Sequence, residues 1–141
     1  MSAIEEFDCC FTTTNILTLV TTSYESVAAT FKYLADIPPQ PGLSIIKLTY
    51  PSTHASILAQ FRSHLHSIAR REGQKIIAVI DGIVSTPGQL MPWEGMVAIC
   101  KEENVWSIVD AAHCIGQIAF NLKKSQPDFW VSVSLSFYNS R

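Results

Sequence analysis

The stretch KIIAVI, Lys75 to Ile80, decides the fold class, because a single lysine is followed only by apolar residues. A strand that is buried on both faces reads as such a continuous apolar run, which is typical of parallel sheets. Other β-rich runs lie on both sides of it in the chain. They are NILTLVTT (15–22), LSIIKLTY (43–50), VWSIV (105–109) and DFWVSV (128–133).

Apolar residues at helical spacing fill the segments between these runs. The first set is Val27, Ala28, Phe31, Leu34 and Ala35, and the second, on a helix from about Thr53 to Arg71, is Ile57, Leu58, Phe61, Leu65 and Ile68. The third set follows Pro92, which suits a first helical position, and consists of Trp93, Met96, Val97 and Cys100. The alternation of strands and helices predicts an α/β fold, with three α/β/α layers and a mainly parallel sheet.

Composition narrows the class of protein. Of 141 residues, 48% are hydrophobic and 16% are charged, which is typical of one folded domain over residues 1–141. The net charge of −2 gives no electrostatic case for nucleic acid, and no apolar run approaches the roughly 18 residues of a membrane span. The acidic N-terminus lacks a signal-peptide pattern, and the four cysteines form no C-x-x-C motif. We therefore expect reduced thiols and a cytoplasmic protein without nucleic-acid or membrane partners.

Polar residues follow three of the predicted strands. Tyr24 comes after the first, Asp81 directly after KIIAVI, and Asp110 directly after VWSIV, with His113 three positions later. Ligands of open α/β sheets bind outside the carboxyl ends of the strands. If these three strands are neighbours, the polar groups converge at one edge of the sheet.

The pattern of Asp110 and His113 suits a flat, nitrogen-containing ring. A carboxylate at the end of a buried strand holds a protonated ring nitrogen, and an imidazole one turn later reaches a second polar atom of the same ligand. The small side chains of Ala111 and Ala112 let a ring approach the backbone. An aspartate paired with a pyridinium nitrogen keeps pyridoxal phosphate an electron sink. However, an aspartate that ends a strand is also a common helix cap or turn former, and the spacing alone leaves both readings open.

Other candidate sites are weaker. The histidines at 54, 64 and 66 lack the i, i+4 spacing of metal ligands on a helix, so we expect solvated side chains and no metal site. Cys114 lies beside His113, but no residue to orient that pair as a nucleophile is identifiable. The loop 85–88 lacks a phosphate loop's glycines and lysine, and no G-x-G-x-x-G follows a strand. The absence of that motif disfavours a nucleotide-binding doubly wound domain.

Longer segments resemble a known family. SIVDAAHCIGQIAFNLKKSQPDFWVS (107–132) and the preceding DGIVSTPGQLMPWEGMVAICKEENVW (81–106) resemble the class V aminotransferases, which are pyridoxal-phosphate-dependent enzymes. Within that family, the segments look most like the isopenicillin N epimerase-like proteins, relatives of the cysteine desulfurases. TTSYESVAATFKYLADIPPQPGLSIIKLTYPSTH (21–54) is similar to the upstream region. The resemblance covers about residues 16–132 and implies a partial large domain of a fold-type I transferase, with a divergent tail at 133–141.

The resemblance also implies roles for single residues. Asp110 would pair with the pyridine nitrogen, Ala112 would pack beneath the ring, and Tyr24 would stack on its other face. His113 and Ser85 would lie near the phenolic oxygen. Pyridoxal 5′-phosphate is then the expected cofactor, an amino acid the expected substrate of the full-length family, and a homo-oligomer the expected assembly.

Two departures from the family pattern concern catalysis. No lysine follows Lys124, whereas the family places its Schiff-base lysine after the strand that contains DFWVS. The phosphate-binding loop would precede the first strand, where Thr12 to Thr14 form at most a degenerate remnant. The resemblance therefore implies a chain truncated before the Schiff-base lysine, with no catalytic residue and no activity alone. The alternative is a non-catalytic interaction or regulatory fragment that docks on a full-length relative.

Overall fold

The computed structural model describes residues 16–20, 25–37 and 41–132. These residues form one five-stranded sheet and four helices. The strands are β1 (Ile16–Val20), β2 (Gly42–Ile46), β3 (Ile76–Asp81), β4 (Trp106–Asp110) and β5 (Phe129–Val131). The helices are α1 (Glu25–Asp36), α2 (His54–Ser67), α3 (Trp93–Glu102) and α4 (Leu122–Ser125).

The strand order is β2-β1-β3-β4-β5, and every pair of neighbouring strands is parallel. The predicted mainly parallel α/β sheet is therefore confirmed. The strand from KIIAVI, β3, lies in the centre, and all six of its residues are buried. β1, β3 and β4 are neighbours, so the condition for polar groups to converge at one edge is met.

The two faces of the sheet carry separate apolar clusters. One contains β3 residues Ile76, Ala78 and Ile80 together with side chains of α2 and α3, and the other contains Ile77 and Val79 with Phe31 of α1. Right-handed crossovers produce this division, because the chain moves one way along the sheet through α1 and the other way through α2 and α3. The predicted three-layer arrangement is confirmed.

Three element boundaries differ from the sequence prediction. β2 ends at Ile46 rather than Tyr50, because Ile46 pairs with Val20, the last residue of β1. α2 ends at Ser67 rather than Arg71, since Ile68 takes an extended conformation and packs partly buried against the core. Pro92 is the residue before α3 and not its first helical residue.

α4 is an element that sequence reasoning missed. The side chain of Asn121 accepts a hydrogen bond from the backbone N–H of Lys124, which caps the start of this single turn. A four-residue helix is too short to show apolar periodicity, and the cap was its only signal. Within the described ranges, no helix has the length and apolar character needed to cross a membrane.

Asp128, the residue before β5, is hydrogen-bonded to Ser107 of β4. Its carboxylate accepts hydrogen bonds from the backbone N–H of Ser107 at 2.8 Å and from the Ser107 hydroxyl at 2.7 Å. The Asp128 N–H donates back to the same hydroxyl oxygen at 3.1 Å. Ser107 is completely buried, so few other partners are available to it.

We therefore expect Asp128→Ala to lower the free energy of unfolding by about 2 kcal/mol, because it leaves buried donors without an acceptor. Asp128→Asn keeps one acceptor oxygen and is the matched control, with a smaller expected loss. Urea denaturation of the three chains measures both effects. Equal stability of all three would contradict this role for Asp128.

Candidate functional site

Two carboxylates lie side by side where β3 and β4 end. Asp81 and Asp110 are register partners in the parallel ladder, with Asp81 buried and Asp110 half-buried. The Oδ1 atom of Asp110 accepts a hydrogen bond from the backbone N–H of Ala112 at 3.0 Å. This contact turns the chain sharply after β4 and fixes the orientation of the carboxylate.

The loop that follows Asp110 is tied to both neighbouring strands. The Asp110 carbonyl accepts a hydrogen bond from Gly82 N–H at 2.8 Å, and Ala111 N–H donates to the Val131 carbonyl at 2.7 Å. Within the loop, Cys114 N–H donates to the Ala111 carbonyl at 2.9 Å. The position of Ala112 and His113 is therefore set by the sheet.

The loop after β3 faces the loop that follows Asp110. Ile83 and Leu90 pair in an antiparallel bridge, and Met91 N–H donates to the Gly82 carbonyl at 3.0 Å. Ser85 lies exposed near the tip of this loop. The bridge and the hydrogen bond close the two ends of this loop, and Ser85 therefore lies opposite the turn at Ala112.

The two loops line an open cleft of about 410 Å³. Its lining brings together Ser85, Ala112 and His113, three of the five residues assigned by the resemblance. Asp110 is outside the lining and adjoins it through its hydrogen bond to Ala112. Tyr24 lies outside the described residues.

Sequence reasoning missed most of the apolar lining and one amide side chain. These residues are Ile83, Val84, Leu90, Ile115 and Gln117. They come from irregular loops, where side chains follow no helical or strand period. The spacing of Ile115 and Gln117 after Asp110 does not indicate a binding site either.

Gly82 permits the close packing of the two loops. A Cβ atom placed on Gly82 would lie 2.3 Å from the Cys114 Sγ, far closer than real carbon and sulfur atoms approach. Cys114 is completely buried against this glycine. The pair thus fixes the spacing between the strand ends, although nothing in the sequence pattern singles out Gly82.

Neither described cysteine is suited to act as a nucleophile. Burial, and then the nearby charge of Asp110, raise the pKa of the Cys114 thiol to about 11. Burial, and then the charge of Asp128, raise the pKa of Cys100 to about 12. The thiolate is the reactive form, so both thiols are inert near neutral pH. The prediction that Cys100 is a core residue is confirmed.

We expect iodoacetamide at pH 8 to leave Cys100 and Cys114 unlabelled in the folded chain and to label both after unfolding. The same shifts predict a loss of stability in alkali, since the folded chain retains these thiol protons more tightly than the unfolded chain. The titration of Cys114 leaves the free energy of unfolding unchanged below pH 9 and lowers it as the pH rises from 9 towards 11. Peptide mapping by mass spectrometry measures the labelling. Rapid labelling of Cys114 in the folded state would restore it as a candidate nucleophile.

The histidines differ in part from the sequence prediction. His64 is half-buried, and its Nε2 lies 2.9 Å from the Ser44 hydroxyl, so the expectation of a solvated side chain is wrong for this residue. Desolvation by burial lowers its pKa. His66 is exposed and pairs with Glu103 at 2.7 Å, and His54 contacts the Leu90 carbonyl at 3.0 Å. No three metal-ligating side chains gather within the described part of the chain.

The cleft and the adjoining end of β4 suit the ring of pyridoxal phosphate better than its phosphate group. Its volume is within the range of small-ligand sites, and Asp110 and Ala112 offer a carboxylate and a small side chain at the strand end. Among the described residues that line it, none is a lysine or arginine. The described lining and the adjoining Asp110 therefore suit the ring, and that lining supplies no lysine or arginine for the phosphate.

Comparisons with known proteins identify relatives of the chain and leave the cleft residues untested. A search with protein-family models matches none. An L-cysteine desulfhydrase-like protein of Epichloe uncinata is 30% identical over 118 residues, which are 84% of this chain and 26% of that protein. A putative L-cysteine desulfhydrase of Oryza sativa subsp. japonica is 38% identical over 96 residues, covering 64% of this chain and 20% of the relative. Hercynylcysteine sulfoxide lyase of Schizosaccharomyces pombe is 42% identical over 62 residues, which are 44% of this chain and 16% of that enzyme.

Solved structures establish the fold. A NifS-like protein from Rickettsia africae superposes with a TM-score of 0.63 at 16% identity, over 82% of this chain and 29% of the neighbour. Serine palmitoyltransferase of Sphingomonas wittichii gives a TM-score of 0.53 at 19% identity, over 71% of this chain and 22% of the transferase. The homologues of the chain are thus L-cysteine desulfhydrase-like proteins, and its fold is that of fold-type I pyridoxal-phosphate enzymes. The chain spans about a quarter or less of the curated relatives it matches.

Proposed function

We propose that this chain carries the ring-binding part of a pyridoxal-phosphate-dependent enzyme that breaks a carbon–sulfur bond in a cysteine-like amino acid. The observation that carries the proposal is the position of Asp110, at the carboxyl end of β4 beside the Ser85–His113 cleft. Homology to desulfhydrases and a sulfoxide lyase favours lyase chemistry over the epimerase chemistry that the sequence resemblance also allows.

Pyridoxal phosphate, when bound, supplies an electron sink for carbanion chemistry at the amino-acid substrate. Asp110 would accept a hydrogen bond from the protonated ring nitrogen and keep the proton on that nitrogen. Its Oδ1 already accepts the Ala112 N–H, which holds the carboxylate in one orientation before a ring arrives. A charged acceptor in a half-buried position binds a pyridinium more strongly than a solvated one does.

The cleft residues would position the rest of the ring. Ala112 offers a surface without long side-chain atoms, so that a flat ring packs on it. His113 and Ser85 lie on opposite loops of the cleft, where both would hold polar atoms at the ring edge. The stacking role of Tyr24 rests on the sequence resemblance alone.

Among the described residues that line the cleft, there is no lysine for a Schiff base and no lysine or arginine for a phosphate. We infer that this polypeptide alone binds the ring weakly and does not catalyse. This inference also favours a second candidate function, a non-catalytic piece that associates with a full-length relative. The cytoplasmic location stays a prediction from the sequence.

Borohydride trapping tests this inference. The chain is incubated with pyridoxal phosphate, reduced, digested and mapped by mass spectrometry, while sulfide release from L-cysteine is measured in parallel. We expect scattered, low labelling of surface lysines, equal to that of the urea-unfolded chain, and no sulfide above the buffer control. A single dominant lysine adduct together with sulfide release would overturn the claim of inactivity.

A further inference from the structure

We propose that Gln89 is a positioning residue for the cleft, because it ties the loop of residues 83–90 to the segment that leads into α2. This role rests on the proposed function, since it concerns the ring that the cleft would take. Ser85, Gly88 and Leu90 of this loop line the cleft, whereas Gln89 is half-buried and does not. Gln89 therefore reaches a bound ring only through its neighbours in the loop.

Gln89 makes hydrogen bonds on two sides. Its backbone carbonyl accepts a hydrogen bond from Val84 N–H at 2.9 Å, which closes the tip of the loop. Its side-chain Nε2 donates to the Ser52 carbonyl at 3.1 Å, on the segment between β2 and α2. One residue thus joins the inside of the loop to a separate part of the fold.

Two further contacts between the same segments lie beside this one. The Nε2 atom of His54 lies 3.0 Å from the Leu90 carbonyl, and because a carbonyl only accepts, this nitrogen donates. The Tyr50 hydroxyl donates to the Sδ atom of Met91, a core residue, at 3.4 Å. Neither His54 nor Tyr50 lines the cleft. The loop is therefore held from the side that faces away from the ring.

The supporting segment is itself fixed in place. The Thr53 hydroxyl accepts a hydrogen bond from Ser56 N–H at 3.2 Å and caps the start of α2. Ile57 and Phe61, further along this helix, are buried in the core. A capped helix anchored in the core gives Gln89 a partner whose position does not depend on the loop.

The tip of the loop needs such support, because residues 85–88 are all exposed. Segments with few packed contacts open locally at a low cost in free energy. When the Gln89 contact is lost, a smaller fraction of molecules holds Ser85 at the cleft. The apparent affinity for a ring that contacts Ser85 falls with this fraction.

A double-variant cycle with pyridoxine 5′-phosphate as the probe tests this role. Gln89→Ala should weaken binding by about 2- to 12-fold, the range for one neutral hydrogen bond. In a Ser85→Ala chain the same change should have little further effect, because Gln89 acts through Ser85. Gln60→Ala is the matched control, since Gln60 is also half-buried and donates to the Ser56 hydroxyl within α2 at 3.0 Å. Equal losses with and without Ser85, or no loss at all, would overturn the proposal.

Hydrogen exchange at the Val84 amide tests the same contact without any ligand. This N–H is bonded to the backbone carbonyl of Gln89, which Gln89→Ala retains, so its exchange rate reports how often the loop opens. Gln89→Ala should speed this exchange by about 2- to 12-fold, and Gln60→Ala should leave it unchanged. Unchanged exchange in Gln89→Ala would overturn the proposal whatever the binding data show.

The binding data also separate this role from the proposed function. A native chain that does not bind the probe would overturn the proposed function and the role of Gln89 with it. A native chain that binds the probe, with a Gln89→Ala chain that binds it equally well, would overturn the role of Gln89 alone.

Discussion

Asp110→Asn should weaken binding of pyridoxine 5′-phosphate to the chain by about 10- to 150-fold. This probe keeps the ring nitrogen, the phenolic oxygen and the phosphate but has no aldehyde, so it cannot react with surface lysines. Asparagine keeps an oxygen that accepts the Ala112 N–H, and the turn after β4 should therefore be preserved. What is lost is a charge-assisted hydrogen bond of roughly 1.5–3 kcal/mol, which corresponds to that loss of affinity.

The control for Asp110 is Glu72→Gln, which removes a charge from an exposed turn between α2 and β3. Titration of each protein, followed by fluorescence or calorimetry, measures the dissociation constants. Glu72→Gln should bind like the native chain. If the two variants bind equally well, Asp110 has no special contact with the ring.

Gly82→Ala should destabilise the fold by about 1–3 kcal/mol, as expected for an overpacked site. The new methyl group would lie 2.3 Å from the Cys114 Sγ, and backbone hydrogen bonds of Gly82 to Asp110 and Met91 hold this part of the loops in place. Adding Cys114→Ala should restore most of the lost stability, because the next atom that the methyl group meets is the Asp110 carbonyl oxygen at 3.5 Å. That distance is an ordinary contact.

Gly95→Ala on α3 is the matched control. Its added methyl group meets the Leu58 side chain at 2.9 Å, but this is the flexible end of a partly buried residue, and alanine favours the helix. The change should be nearly neutral. Thermal or urea unfolding of the single and double variants gives the coupling energy between positions 82 and 114. A Gly82→Ala variant as stable as Gly95→Ala, or one that Cys114→Ala does not rescue, would contradict the packing described for these loops.

The fold was largely predictable because its signals are local. The apolar run at Ile76–Ile80 marks a strand buried on both faces, and Trp93, Met96, Val97 and Cys100 mark the buried side of α3, as the structure confirms. The order of strands was not predictable from these patterns, since parallel strands pair across crossovers of many residues. The same holds for the ends of β2, which depend on where β1 ends.

The candidate site was predictable only at its strand ends. Asp110 stands out in the sequence because a carboxylate follows an apolar run. Its position beside Asp81 depends on the register between β3 and β4, which the sequence pattern does not give. The apolar wall of the cleft and the contact of Gly82 with Cys114 arise from loop geometry, which has no period to read. His64 shows the same limit, because its hydroxyl partner Ser44 lies 20 residues away on another element.

The protonation state of the bound ring tests the central claim most directly. Pyridoxine 5′-phosphate labelled with ¹⁵N in the ring is added to the chain at a pH where the free probe has a deprotonated ring nitrogen. The account predicts that the bound ¹⁵N resonance moves to the position of a protonated pyridine, and that Asp110→Asn abolishes this shift while Glu72→Gln retains it. A bound ring nitrogen that stays deprotonated, or a shift that persists in Asp110→Asn, would contradict the assignment of Asp110 as the partner of the ring.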